Sequence, residues 1–366
     1  VSVRWQFEVI SRSGVPVAAL VPETFKLTRR LKRSSFADIT LRSESIGADD
    51  IDHTRIVRAW RNPDTESQAQ GTIRFAGQFT SIQDTGDEDG NEVSTVRADD
   101  PFAALAERLI QEETVYTAED QGDLIADLIA DQNAREPTHL TMGSYSATVD
   151  RDRTYEQGKV VGEAIEQLSD VIDGPYFVIN AVDDDEVVGE FVLRHPDSGQ
   201  DFADAVRFEY GIGTMRNVAR ITVDANPPIN RVLAVGATAA DEGDPLLATA
   251  EDADSIDDFG MRERFISQTD VLVQDTLDDA AESEIYADPV KAYQLTAASP
   301  DSHGGNALPR LFDDFDVGDT VTLHAEGRSP RLQFEVTARV IEVVVTVGTE
   351  GEETLSSIVV EVIPDA

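Results

Sequence analysis

Short runs of apolar residues alternating with polar ones open and close this chain, and that period of two limits the fold more than any other feature. Val3, Trp5, Phe7 and Val9 fall on one face, with Arg4, Gln6 and Glu8 on the other. Ile73, Phe75, Gly77 and Phe79 repeat the pattern after a polar linker at 62–71, and the Gly/Asp-rich stretch 84–90 reads as a turn into another strand at 91–97. Strand character returns at 206–210, 218–223 and 231–235, and again at 320–325, 332–347 and 354–363. Within the longest of these the parity slips. Leu332, Phe334, Val336, Ala338 and Val340 share a face, whereas Ile341, Val343, Val345 and Val347 take the opposite one, which predicts a bulge or sharp bend such as a barrel corner requires.

Between the two strand-rich ends the period changes. Asp100 suits an N-cap and Pro101 a first helical position, ahead of Phe102, Leu105, Leu109 and Ile110 on one helical face. Thr117 with Asp120 resembles a capping box before Leu124, Ile125, Leu128 and Ile129. Thr154 with Gln157 forms a second before Val160, Val161, Ala164, Ile165 and Leu168, and Gly174-Pro175 stops that helix. Strands at 176–182 and 186–195 flank an acidic turn at Asp183-Asp184-Asp185, the acidic stretch 237–258 reads as a loop, and 276–286 as a short helix. The expected architecture is a β-rich α+β chain in three parts: a β-module at 1–99, an α+β insertion at 100–205, and a second β-module at 206–366 with a loop and helix insertion around 237–300.

Charge narrows the function. Among 366 residues, 71 acids face 30 bases, a formal net charge of −41, so the surface repels a phosphate backbone and offers no basic patch for nucleic acid or an anionic membrane. Apolar residues make up 40% of the chain, enough to build a core, so the acidity does not mean disorder. Only four of the cations are lysines (Lys26, Lys32, Lys159 and Lys291). Acidic excess with scarce lysine points to a protein working in near-saturated salt, where a Debye length of ~3 Å screens self-repulsion. The N-terminal alternation lacks the basic start and apolar block of a signal peptide, and no apolar run reaches membrane-spanning length, so a soluble protein made without its own secretion signal is expected.

No catalytic constellation stands out. The chain has no cysteine, and His53, His139, His195, His303 and His324 show no metal-ligand spacing. No Gly-x-Ser-x-Gly elbow occurs, and Gly211-Ile-Gly213 lacks the third glycine of a dinucleotide loop. Asp84, Asp87, Asp89 and Gly90 fail the calcium-loop pattern, with Thr85 and Val96 where acids are needed, so a hairpin tip is expected there and a turn at Asp183–Glu186. Catalytic, cofactor and metal residues are therefore expected to be none. A glycosidase needs only two carboxylates, but two tryptophans, Trp5 and Trp60, are too few to suggest a sugar cleft.

The order of the parts carries a resemblance. The opening strand with Trp5 and Phe7 is followed by an arginine-bearing strand at 25–31, a strand around Trp60, Phe75-Ala76-Gly77, and then Asp100-Pro101 with a helix. This order resembles the central tail hub (baseplate hub, or minor tail protein) of long-tailed viruses. The stretches 100–110, Val115-Tyr116-Thr117, 151–155, 165–170 and 174–177 are similar to parts of actinophage minor tail proteins. So are 230–236, 259–263 and Val317-Gly318-Asp319-Thr320-Val321 further on. The resemblance implies two tail-tube-like β-barrel modules separated by an α+β insertion, and a homotrimer whose six barrels match a hexameric tail tube. It further implies that strands 4–10, 72–82, 321–325 and 332–347 supply core and subunit contacts. The implied role is mechanical and non-enzymatic: closing the distal end of the tube of a siphovirus-like particle, at the virion tail tip, after synthesis in the host cytoplasm. Implied partners are the tail-tube or distal tail ring, the tape-measure protein and a tail fibre or receptor-binding protein. The lumen would open for DNA ejection without specific nucleic-acid binding, and the salt-adapted composition would place such a virus in a halophilic archaeon. Two alternatives stand beside this reading. One is a tail-tip protein binding host glycans or S-layer through loops such as 237–258, and the other is a halophilic hydrolase.

Overall fold

The computed structural model describes the chain apart from residues 1–3, 63–70, 87–91, 172, 185, 212–215, 226, 239–242, 269–270, 272, 286–290, 298–307, 350 and 364–366. Residues 63–70 of the expected linker at 62–71, most of the turn at 84–90, Asp185, His303 and part of the Gly211–Gly213 motif lie outside the described residues. The first hundred residues form β1 (Arg4–Ser11), β2 (Pro16–Leu20), β3 (Thr24–Arg30), β4 (Phe36–Arg42), β5 (Arg55–Asn62), β6 (Thr72–Gly86) and β7 (Glu92–Asp99). They pair antiparallel in the order β3-β4-β7-β6-β5-β1-β2. Alternation buries Trp5 and Val9, and an aromatic cluster runs across the sheet, with Phe25 centred 4.7 Å from Phe7, 5.7 Å from Trp5 and 6.1 Å from Phe75. The opposite face of β1, β5 and β6 is also covered, because Ile10, Ile56 and Ala76 pack on Val188. Gly77 has a local cause: a Cβ there would lie 2.6 Å from the carbonyl oxygen of Asp99, beside a register shift between β6 and β7.

Next come α1 (Ala103–Ala106), β8 (Thr114–Asp120), α2 (Gln121–Arg135), β9 (Leu140–Met142), β10 (Asp150–Tyr155), α3 (Val161–Asp170), β11 (Tyr176–Ala181) and β12 (Gly189–Arg194). They enclose their own core of Phe102, Leu124, Leu128, Ile165, Leu168, Phe177 and Phe191. Three local expectations need correction. α1 stops at Ala106, leaving Leu109 exposed while Ile110 turns inward. Thr117 belongs to β8, and Asp120 alone caps α2, its Oδ1 accepting from Gly122 N at 2.8 Å. Thr154 lies in β10 opposite Val115, and the cap of α3 falls at Val160, six residues beyond the expected position, with no side-chain cap bond. Strand pairing between β8 and β10 has taken the backbone that both capping boxes would have needed.

The remaining elements are β13 (Arg207–Gly211), β14 (Val218–Ala225), β15 (Arg231–Thr238), β16 (Pro245–Glu251), α4 (Ala253–Phe259), β17 (Glu263–Ser267), α5 (Gln274–Ser283), β18 (Lys291–Ala297), β19 (Thr320–Glu326), β20 (Gln333–Val347) and β21 (Glu353–Val362). The described residues of the stretch expected to be a loop, 237–258, belong instead mostly to the end of β15, to β16 and to α4. Leu246, Ala248 and Ala250 on one parity of β16 join the cluster under α5, completing a small sheet β16-β15-β17.

The strand-rich α+β class holds, with one finding about its assembly: both ends of the chain contribute to a single 13-stranded sheet, whose described path does not close into a barrel. β20 makes the join. Its first half pairs with β19, from Glu326 opposite Gln333 to Thr320 opposite Arg339, and its second half pairs with β3, from Arg30 opposite Glu342 to Phe25 opposite Val347. The pairing with β21 shifts register between Val340 and Glu342, where the apolar parity slips in sequence. The bulge is the corner at which β20 leaves one neighbour for the other, and Ile341 O accepts from Leu31 N at 3.0 Å there.

Asp100, 4% exposed, ties the first segment to the insertion. Its Oδ2 accepts from Ser35 N at 2.7 Å, and its Oδ1 from Ser34 Oγ at 2.8 Å and Phe102 N at 3.2 Å. Burial outweighs these donors and pushes the carboxyl up to about 7. A group raised in the fold is protonated longer there than in the unfolded chain, so its contribution is fully present below its unfolded pKa and is lost as pH rises through about 7. Asp100→Asn, whose amide nitrogen accepts nothing, should cost about 1–3 kcal/mol. In urea titrations at molar salt, the gap to the parent protein should narrow as pH rises from about 4 to about 7.

Candidate functional site

The densest polar site in the described fold is a grip of four arginines on the loop 311–319. Arg29 comes from β3, Arg61 from β5, Arg74 from β6 and Arg194 from the end of β12. Arg61 is 2% exposed and holds two carboxylates at once. Its Nη1 and Nη2 donate to Asp313 Oδ1 and Oδ2 at 2.7 and 3.0 Å, and its Nε and Nη2 to Glu353 Oε2 and Oε1 at 2.6 and 3.2 Å. Trp5 Nε1 adds a 3.0 Å bond to Glu353 Oε2. Burial acts to lower the Arg61 pKa, but the two carboxylates reverse this and hold the guanidinium more firmly charged. The same bonds keep Asp313 below the usual carboxylate range.

Arg29 makes a second fork, from Nε and Nη2 to Asp316 Oδ1 and Oδ2 at 2.7 and 2.9 Å. It also donates to Ile179 O at 3.1 Å and Asn180 Oδ1 at 2.7 Å, so one side chain joins the first sheet, the insertion and the loop. Phe312 lies between the Arg29 and Arg74 guanidinium groups, at 5.5 and 4.7 Å from its ring centre. Arg74 has no ion-pair or hydrogen-bond partner among the described residues, and burial with the charge of Arg61 lowers its pKa. Arg194 Nη1 donates to Ser198 O at 2.8 Å and Val317 O at 3.0 Å. Gly318, at φ +90°, sits where a Cβ would fall 2.3 Å from Ser198 O, so the loop passes here only as glycine. Asp319 closes the turn, accepting from Gln200 N and Asp316 N, both at 2.7 Å, and its burial raises its pKa. A cavity of about 690 Å³ opens beside the grip, walled by Arg74, Tyr145, Arg194, His195, Phe312 and Asp316.

These contacts are those of a joint. Every carboxylate bound by Arg29 or Arg61 is spent on an ion pair, and among the described residues no three His, Asp or Glu side chains are placed to hold a metal ion. The described histidines stay apart: His53 and His139 contact backbone carbonyls of Phe79 and Glu186, His195 sits at the cavity, and His324 is 3.6 Å from Glu326. Asp84 accepts from Ser94 Oγ at 2.6 Å across its hairpin. Asp184 Oδ1 caps Glu186 N and Val187 N, while Asp183 pairs with Arg58 at 3.4 Å, so this acidic turn docks on β5. The grip itself was not legible in the sequence. Its sign was arginine inside strands that otherwise read as buried, at Arg29 and Arg61, together with Asp313, Asp316 and Asp319 ahead of a strand.

The fold is that of phage tail proteins. The chain superposes on the tail protein from Neisseria meningitidis MC58 with a TM-score of 0.59 at 10% identity, covering 98% of this chain and 96% of that one. Prophage tail protein gp18 from Listeria monocytogenes EGD-e gives 0.57 at 11% identity, with 99% and 95% covered. The 43 kDa tail protein of prophage MuSo2 from Shewanella oneidensis gives 0.57 at 11%, with 98% of each chain covered. Residues 206–354, which contain the gripped loop and Glu353, match the prophage endopeptidase tail family. No curated protein matches the sequence.

Removing Arg61 leaves exposed Asp313 and half-buried Glu353 without their shared cation. Arg61→Met should lower stability by about 1.5–3 kcal/mol in urea unfolding, and adding Asp313→Asn and Glu353→Gln to that variant should recover part of the loss.

Proposed function

We propose that this chain is a structural subunit of a viral tail, the central hub that closes the distal end of the tail tube. The observation that carries the reading is the one-piece sheet: both ends of the chain are locked into a single frame by β20 and the arginine grip. The tail-protein fold over nearly the whole chain supports it. In this reading residues 1–99 and 206–366 are the tube-like modules and 100–205 the insertion between them. The sheet path ends at β2 and β14, edges that no described strand covers. Such edges suit lateral joining of subunits, and Val15, Val17 and Val21 are exposed beside the first. Three copies would form the ring, with the tube or distal tail ring on one side and the tape-measure and receptor-binding proteins as further partners. An acidic passage would let DNA through without holding it.

In this reading the endopeptidase of the matched family's name is not carried over to this chain. Buried Arg29 and Arg61 serve ion pairs between segments, and the role we assign is non-enzymatic. No helix among the described residues is long and apolar enough to cross a membrane. The excess of 71 acids over 30 bases, with four lysines, supports a virus of a halophilic archaeon as the source.

Purified in molar salt, the chain should sediment as a trimer and give rings in electron micrographs, and gold-labelled antibody should mark the tail tip. A strict monomer, or label on the capsid or shaft, would sink the reading. Stability should also fall steeply below roughly 1 M salt as screening is lost. A flat curve of unfolding midpoint against salt would remove the halophile assignment.

A further inference from the structure

Among the described residues, the small sheet β16-β15-β17 is covered on one face only. Leu277 and Ala281 of α5 pack on Val232, Ala234 and Ala248, leaving the odd-numbered side chains of all three strands on the other face. There Leu233 stands opposite Phe265 in the ladder, and Val235 opposite Leu247. Leu233 is 44% exposed, Leu247 58% and Phe265 63%, with Phe259 and Met261 exposed at the corner between α4 and β17. Five of the eleven exposed large apolar side chains among the described residues thus fall within 233–265.

This face is built rigidly. Asn230 is fully buried, its Nδ2 donating to Gly260 O at 2.9 Å and its Oδ1 accepting from Arg262 N at 2.7 Å, which fixes the corner that presents Met261. Gly260 turns the chain there at φ +77°. Asp252 caps α4 through Ser255 N at 2.8 Å. An ordered apolar face on so acidic a chain is a mark of association.

We infer that this face docks a different protein of the particle, one presenting an apolar centre bracketed by arginine or lysine. The charge around the face selects that occupant. Glu251 and Glu263 share the single cation Arg231, at 3.7 and 3.1 Å, and Asp254, Asp257 and Asp258 of α4 have no cationic partner among the described residues. A second copy would bring the same acids to the contact, whereas a basic rim would satisfy them. The inference rests on the tail-subunit reading given above, and it names a partner class for a surface that reading leaves unused.

The test places the photo-crosslinking residue p-benzoyl-phenylalanine at position 265 in assembled particles, followed by irradiation and peptide mapping. The expected product joins this chain to one other polypeptide, at an apolar segment with arginine or lysine within a few residues. In parallel, Leu247→Asp with Phe265→Asp should leave the purified chain's oligomeric state and unfolding midpoint unchanged. Particles carrying that pair should hold less of the crosslinked partner by about tenfold or more. A crosslink to another copy of this chain, a crosslink to an acidic segment, or no crosslink in particles that contain the chain would each overturn the inference. Absence of the chain from particles would overturn the tail-subunit reading itself, and the docking proposal with it.

Discussion

Six residue pairs along β3 and β20, from Phe25 with Val347 to Arg30 with Glu342, join the two ends of the chain into one sheet. Their backbone ladder crosses more than 300 positions of sequence, so the loop-closure entropy must be offset by interactions that form only when both segments are in place. Apolar contacts supply part of that offset: Phe25, Leu27, Val343, Val345 and Val347 are all buried in the same core. The arginine grip supplies specificity. Arg61 and Arg29 accept a forked partner in one geometry only, so a register slip between the halves would leave charges buried and unpaired.

The molecule thus holds two populations of charge that respond differently to salt. Carboxylates on the outside repel one another and are quieted by mobile ions within a few ångströms. Asp313, Asp316 and Glu353 pair with arginines that are 2–4% exposed, where mobile ions reach poorly, so these pairs are screened less than surface ones. Arg29 and Arg61, which join distant segments, are thus buried, while acids without a cationic partner among the described residues, such as Asp254, Asp257 and Asp258, lie at the surface.

Strand periodicity was legible where one parity is buried, as in β1 and β21, but not in β4, β8, β10 or β16–β18, and β5 is buried on both parities; the slip at Val340 and Ile341 located the corner of β20. Capping boxes at Thr117 and Thr154 misled because their residues sit in strands whose pairing partners lie more than thirty positions away. The stretch 237–258 misled for a different reason. Its apolar side chains are small or short-spaced among acids, and only the arrival of α5 makes Leu246, Ala248 and Ala250 a buried face. The grip was illegible in principle, since a local pattern cannot say that Arg61 meets Asp313 and Glu353 across more than 250 residues.

The corner in β20 also sets how the molecule carries load. A single strand that is hydrogen-bonded to β19 over its first half and to β3 over its second passes tension between those two strands along its own backbone. A pull directed along that strand strains many ladder bonds together, in shear. A pull across it opens them one after another, like a zipper. By this geometry the β19–β20–β3 ladder resists a pull along β20 more than a pull across it.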